Sequence, residues 1–563
     1  MSKFYVEKLD FQQPQLIEEK FQQLVNTTID SVEEMGSWLQ EQSKLYDAVE
    51  EALSGHYIDF QCQSNSDDAK EAFDHDQRII IPIFKKYEAI LDDKFLSTPV
   101  SSKLNPDLYK QFLMSKKNAK ELFRKENIDL EIEEDRLATK YFEITGSLTV
   151  DWDGEEKTLS QLQEYNEDSD RSIREKAATL RMEAFSTKQE ELQDIMTQLI
   201  ELRQRKADNS GLQNYRDYMF KKYERFDYSP EDCKTLATAI QKHVKPLKEK
   251  LQRKHQEELS LDTYRPWDRM AVPIGEKPLK PFDTIEELVE KSATIFDKLD
   301  PRFSQLIKEM NSRGMLDLTS RKGKAPGGFC CPLPVSNLSF IFMNAANSQS
   351  DLVTLIHEMG HCIHNDLKRI QPLSKYRDTP MESSELASMS MELLTMDQWN
   401  LFYENEEELL RAKRDQLKGI IDFLPAGIVV DQFQHWIYEN PNHTATERND
   451  KYFDIVQSLD SNVVDWSGYE EWAKNNWLPI LHIFEVPFYY IEYVIAQLGA
   501  VQMYKQYKEN PELALSNYKK ALSLGSSKSL PEVYAAAGIS FDFSEEMIQE
   551  LMEFLEKELE LLN

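Results

Sequence analysis

The chain has 563 residues, which at roughly 150 residues per domain suggests two to four units around more than one simple core. Its 40% hydrophobic and 29% charged residues fit a globular protein and exclude a mainly disordered one. With 67 basic against 99 acidic side chains, the net charge of −32 repels phosphate backbones and anionic lipid, so neither nucleic acid nor membrane is expected as a partner.

Amphipathic helices are expected over about 14–53 and 67–125. YFEITGSLTVDWDGEEKTL then alternates around Phe142, Ile144, Leu148, Val150 and Trp152. With Asp153-Gly154 as a turn dipeptide, that pattern predicts a hairpin near 141–160. A long helix is predicted from about Ser160 to Ala207, stopping near Asn209-Ser210-Gly211. Further helices fill about 229–258 and 283–312, on either side of a proline-rich connector from Tyr264 to Pro281. RKGKAPGGFCCPLP (321–334) reads as loop, and Leu338 to Met343 as a strand. The rest reads as helix, ending in the amphipathic EEMIQELMEFLEKELELL.

Cys62, Cys233, Cys330, Cys331 and Cys362 are an odd set for so long a chain, which argues for free thiols and a reducing compartment. MSKFYVEKLDF lacks the basic start and apolar stretch of a leader, and no apolar run approaches the roughly 20 residues of a membrane span. The cytoplasm is the expected location.

The chemistry concentrates in His357-Glu358-Met359-Gly360-His361, an H-E-x-x-H pattern in a helical context. Residues i and i+4 lie on one helix face, about 6 Å apart along the axis, so both imidazoles can reach one zinc ion. Glu358 projects nearby, able to contact a metal-bound water and accept its proton as the water attacks a carbonyl. A third ligand is required. Leu367 stands where an H-E-x-x-H-x-x-G-x-x-H site would need histidine, and His364 points at another angle, as a packing or supporting residue. Asp378 to Glu382 reads as a helix start with Thr379 as N-cap, Pro380 in the first turn and Glu382 closing a capping box. That leaves Glu385 free to face the metal, with Ser388 and Glu392 one and two turns on, placed to orient a ligand histidine.

HEMGH, followed 28 positions after His357 by Glu385-Leu386-Ala387-Ser388, resembles the thimet oligopeptidase / oligoendopeptidase F family of zinc metallopeptidases, on its oligoendopeptidase F branch. Ser339 to Asn344 upstream, and His482 with Pro487 to Tyr493 downstream, extend the resemblance over about residues 200–540. It implies a mainly α, zincin-type (thermolysin-like) core in a large prolate helical body, with a deep central channel and a small β-sheet near the active site. The implied division is an N-terminal helical region, 1–200, and a zinc metallopeptidase catalytic region, 201–563. The implied activity is endo-cleavage of short unstructured peptides. The implied cofactor is one zinc per chain, on His357, His361 and Glu385, with Glu358 as general base.

His482 and the tyrosines of this region would contact substrate and the developing oxyanion. Tyr490 and Tyr493 share a helix face and are favoured over Tyr489, which is assigned to substrate contact. The edge of the strand carrying Phe340 and Phe342 could pair with an extended peptide, and the Gly327-Gly328 loop could flex over it. His435, in QFQHWIY, reads as a packed or partner-bound histidine rather than a ligand. Ligand spacing leaves endo or exo action open, as it does a peptide binder that retains the fold. Monomer or homo-oligomer is undecided.

Overall fold

The computed structural model describes residues 9–273 and 275–562, and the start of the chain, which carries the leader reading, lies outside the described residues. The structure is mostly helical. The first expected stretch is broken in two. A helix spans Pro14–Asn26, and α1 (Val32–Cys62) begins afresh because Ser31 accepts from the Glu34 N–H while the Glu34 carboxylate accepts from the Ser31 N–H.

Residues 141–146 correct the expected hairpin. They end a helix, Ile128–Gly146, that buries Leu130, Leu137, Tyr141 and Ile144 at helical spacing, so the alternation at Phe142 and Ile144 was accidental. The hairpin itself is β1 (Thr149–Trp152) and β2 (Glu155–Thr158). Asp153 and Gly154 both take positive φ, +55° and +90°, as a two-residue turn of this twist requires. The long helix expected over 160–207 is interrupted, and its last part is α2 (Gln189–Asn209). α3 (Pro230–Glu258) starts at a Ser229/Asp232 capping box with Pro230 in its first turn. The stretch 283–312 is two helices, Ile285–Leu299 and Pro301–Ser312, because proline follows Asp300 and Asp300 accepts from the Arg302 N–H.

β3 (Leu316–Thr319), β4 (Phe329–Leu333) and β5 (Leu338–Ala345) form a sheet in the order β3-β5-β4. The loop reading therefore holds only to Gly328. β5 is the central strand, parallel to β3 and antiparallel to β4. This corrects the expectation of a peptide-binding edge at Phe340 and Phe342. Both backbone edges of β5 are occupied, and both rings are buried in the core, with Phe342 stacked on Phe329 at 4.8 Å between centroids. β5 leads directly into α4 (Gln349–Lys368), and α5 (Met381–Leu394) and α6 (Glu406–Glu439) follow. α7 (Tyr490–Glu509) and the C-terminal α8 (Glu545–Leu561) complete the elements used below. No described helix is long and apolar enough to cross a membrane.

The chain forms two compact units that do not follow a division at residue 200. The first combines the chain up to Glu121 with Leu279–Leu409 and Ala496–Phe541. One of its cores gathers Phe21, Trp38, Leu91 and Phe95 with Leu373 and Tyr376. The second unit combines Leu122–Pro278, Leu410–Ile495 and the chain from Asp542 onward, and in it α8 packs along α3.

Candidate metal centre

α4 begins at a capping box in which Ser348 accepts from the Asp351 N–H and Asp351 accepts from the Ser348 N–H. Leu352, Leu355, Ile356, Met359 and Ile363 bury one face of this helix. The same periodicity turns His357 and His361 together to the other side, with ring centroids 4.9 Å apart.

α5 crosses α4 at Gly360. A Cβ added there would lie 2.5 Å from the Cα of Ser388 and 2.9 Å from the Ala387 carbonyl oxygen, so only glycine permits this approach. The crossing delivers Glu385. Its Oε2 lies 3.3 Å from His357 Nε2 and 3.9 Å from His361 Nε2. One donor atom from each of the three residues lies within 4.8 Å of the others. α5 is itself anchored from outside. The Tyr518 hydroxyl donates to the Ala387 carbonyl and the Tyr534 hydroxyl to that of Glu382.

The expected start of α5 is not the observed one. Pro380 is the N-cap, and no side chain caps the helix. The Thr379 hydroxyl instead pairs with Ser384 Oγ and accepts from Lys368 Nζ, while Glu382 is buried rather than reaching back. Glu392 Oε1 lies 2.6 Å from His357 Nδ1, which fixes the tautomer that presents Nε2 to the Glu385 side. Ser388 takes a different task from the expected one. Its hydroxyl donates to Glu385 Oε2 at 3.0 Å and so orients the carboxylate, not a histidine.

Burial alone would lower the His357 pKa, but the Glu385 and Glu392 carboxylates hold it well above its usual value. His361 falls to about 4, chiefly by burial. Burial would raise Glu385, yet His361, His357 and Ser388 together keep it lowered. Glu358 has no cationic partner equal to its burial. Its pKa rises to about 7, and its Oε2 has no hydrogen-bond partner among the described residues. Two imidazole nitrogens and a carboxylate oxygen fit zinc, and the bare oxygen of Glu358 fits a water held beside the ion.

His482, Tyr489, Tyr490 and Tyr493 gather in the second unit. The His482 ring lies 4.9 Å from that of Tyr490, 5.8 Å from that of Tyr489 and 6.0 Å from that of Tyr493. All four are half-buried. Burial lowers the His482 pKa and raises that of Tyr490, so at neutral pH an uncharged imidazole faces a protonated phenol. The turn before α7 places Phe488 at φ +67°. Its N–H donates to Gln434 Oε1, and its carbonyl accepts from Arg225, which also bonds Glu492. His482 and Tyr490 border a cavity of about 810 Å³ whose walls include Trp267, Phe423, Tyr452 and Trp472. In the first unit, Gly327 has φ +96°, and the Asn344 amide donates to its carbonyl, tethering the glycine loop to β5.

Sequence reasoning missed Gly360, Arg225 and Gln434. A glycine inside a strongly apolar helix was the signal available for the first. The other two act across long stretches of chain and carry no local signature.

Residues 164–553 match the sequence pattern of peptidase family M3. Oligopeptidase PepF of Bacillus subtilis is 24% identical over 331 residues, covering 58% of this chain and 48% of that protein. An oligoendopeptidase F homologue of Mycoplasma genitalium is 24% identical over 275 residues, covering 46% of this chain and 44% of that protein. The chain thus spans about half the length of these curated relatives. The solved structure of PZ peptidase A with inhibitor 2 superposes with a TM-score of 0.91 at 26% identity, covering 100% of this chain and 99% of that one. Oligoendopeptidase F from Enterococcus faecium shares the fold at a TM-score of 0.66 and 16% identity, covering 98% and 97%. The matched segment takes in both α4 and α5, and the chain belongs to peptidase family M3.

Proposed function

We propose that the protein is a zinc-dependent endopeptidase of short, unstructured peptides. The convergence of His357, His361 and Glu385 donor atoms beside the buried carboxylate of Glu358 carries this reading. A zinc ion held by these three residues would supply Lewis acidity to the scissile carbonyl. Glu358 accepts a proton from the attacking water and returns it to the leaving amine, a shuttle suited to a buried carboxylate with one oxygen left bare. Glu392 keeps His357 in the tautomer a ligand needs, and Ser388 holds Glu385. His482, Tyr490 and Tyr493 are assigned as donors to the developing oxyanion, and Tyr489 to substrate contact.

Main-chain pairing with an extended peptide moves from β5 to β4, an edge strand of the sheet, with the Gly327-Gly328 loop leading into it. Such backbone recognition gives broad sequence tolerance. None of the five cysteines forms a disulfide, which supports a reducing, cytoplasmic setting.

The test is Glu358→Gln. It should retain about one zinc per chain while hydrolysis of an internally quenched, end-blocked peptide falls by about 10²–10⁴-fold. Near-normal turnover by the zinc-loaded variant would remove the general-base assignment. Failure of the unaltered, zinc-loaded protein to cut blocked peptides would remove endo action.

A further inference from the structure

A second cluster of ligand-type side chains lies in the second unit. α6 places Asp431 and His435 one turn apart, the spacing that pairs His357 with His361 on α4. Cys233, in the first turns of α3, completes the group, and one donor atom from each of the three lies within 4.8 Å of the others. All three residues are sealed from solvent, at 1%, 0% and 2% exposure for Cys233, Asp431 and His435.

The polar atoms of His435 and Asp431 are poorly accounted for. Neither ring nitrogen of His435 has a hydrogen-bond partner among the described residues, and neither does Asp431 Oδ1. His435 Nε2 approaches Asp431 Oδ2 to 3.3 Å, but that oxygen is the one accepting from the Gln432 amide. The rings of Phe220 and Phe488 stand edge-on to the imidazole at 6.1 and 5.4 Å, and offer it no polar partner. Leaving a polar group bare so deep in a protein forfeits its hydrogen bonds to water with nothing in return, so an imidazole and a carboxylate left this way imply an occupant.

A proton would join His435 to Asp431 yet leave the other ring nitrogen bare. A divalent ion suits the whole set. Imidazole, carboxylate and thiolate are zinc donors, and the two anionic ligands cancel the ion's charge where solvent cannot. Binding exchanges the Cys233 S–H bond for a sulfur–metal bond and releases that proton to solvent, with no change of oxidation state. The second oxygen of Asp431, or one enclosed water, fills the fourth position.

We propose that Cys233, Asp431 and His435 form a second, structural site for a zinc-class divalent cation, joining α3 to α6. The site does not depend on the assignment made for His357, His361 and Glu385. Phe488, the positive-φ residue of the turn before α7, packs on His435, so the ion would also brace the segment that carries Tyr489 and Tyr490.

The first cluster contains no sulfur ligand, so cobalt distinguishes the two. The full chain would be produced in zinc-depleted, cobalt-supplemented medium, so that a sealed site fills as the protein folds. The expected result is about two cobalt ions per chain together with a sulfur-to-cobalt charge-transfer band in the near ultraviolet. Cys233→Ser should lose the band and about one equivalent of metal, whereas Glu385→Ala should lose metal but keep the band. If Cys233→Ser fails to fold, persistence of the band in Glu385→Ala carries the proposal. A folded, cobalt-grown protein without the band overturns it, and assigns the cluster to an imidazolium–carboxylate pair or an enclosed water. A band that survives Cys233→Ser overturns it equally.

Discussion

Glu358 in the first unit and Glu134 in the second are both largely buried carboxylates, and their surroundings drive them in opposite directions. Glu358 sits near His357 and the Glu385 and Glu392 carboxylates, and burial outweighs the imidazole and raises its pKa to about 7. Burial would raise Glu134 too, but Arg203 and Lys206 outweigh it and bring the pKa down to about 2. Arg203 Nε donates to one oxygen of Glu134 at 2.7 Å, Lys206 Nζ to the other at 2.6 Å, and the Tyr215 hydroxyl adds a third bond at 3.2 Å. A buried acid whose cations outweigh its burial locks a structure, whereas one whose burial prevails takes up a proton more readily.

The sharpest break of this comparison is to neutralise each acid in turn. Glu358→Gln should produce the largest effect, the loss of about 10²–10⁴-fold in turnover proposed above, with an unchanged or raised thermal midpoint because a buried charge is removed. Glu134→Gln should do the reverse. It leaves buried Arg203 without its carboxylate and buried Lys206 with only Glu131 at 3.9 Å, and unfolding in urea should show a loss of about 3–5 kcal/mol. Scanning calorimetry and peptide hydrolysis on the same preparations would decide. Equal stability losses in both variants would erase the distinction.

The pH dependence follows from the sign of the Glu134 shift. Its folded pKa lies below the ordinary glutamate value of 4.5, so the unfolded chain binds the proton more readily. Its contribution is complete above pH 4.5 and disappears as pH falls from 4.5 toward about 2. Unfolding measured across that window should be less pH-dependent in Glu134→Gln than in the unaltered protein, by at most about 1.4 kcal/mol per pH unit. An unchanged slope would detach Glu134 from acid stability.

Two smaller effects test how the first unit holds its ligands. Glu392→Gln removes the carboxylate behind His357, and competition with a chelator should show about 10–100-fold weaker metal retention. Gly360→Ala forces α4 and α5 apart. About 1–3 kcal/mol of stability should be lost, read as a lower thermal midpoint with weaker metal retention. A Gly360→Ala protein that melts and holds metal normally would show that the helices have slack at the crossing.

The parts of the site that follow from local spacing were legible in the sequence. His357, Glu358 and His361 are fixed by helical period alone. Glu385 reaches the candidate centre from a helix whose start differs from the expected one, since Pro380 rather than Thr379 caps α5, and a shift of one residue at the cap leaves the direction of Glu385 unchanged. Pairing partners were not legible. Leu338 to Met343 announce a strand, but whether it lies at an edge or in the centre depends on β3 and β4, and β4 was hidden in a glycine- and proline-rich stretch. The Ile128–Gly146 helix is not legible at its end because Phe142 and Ile144 satisfy a two-residue period by accident. His435 reads as a packed or partner-bound histidine rather than a ligand; it is packed, and the cluster it forms with Asp431 and Cys233 reopens the second half of that reading. Its neighbour Cys233 lies 198 positions before Asp431, so no local window contains the cluster.

The interleaving of the two units sets a timetable for synthesis. The first 121 residues cannot complete their unit until residue 541 has been made, because its closing stretch is Ala496–Phe541. At about 5–20 residues per second that wait is roughly 20–85 s. For the first 255 residues of that stretch the growing chain carries the apolar faces of Phe21, Leu91 and Phe95 while Tyr376, which with Leu373 finishes their core, is still to come. A ribosome-bound nascent chain of this protein is therefore a natural client for holding chaperones until its last segments emerge.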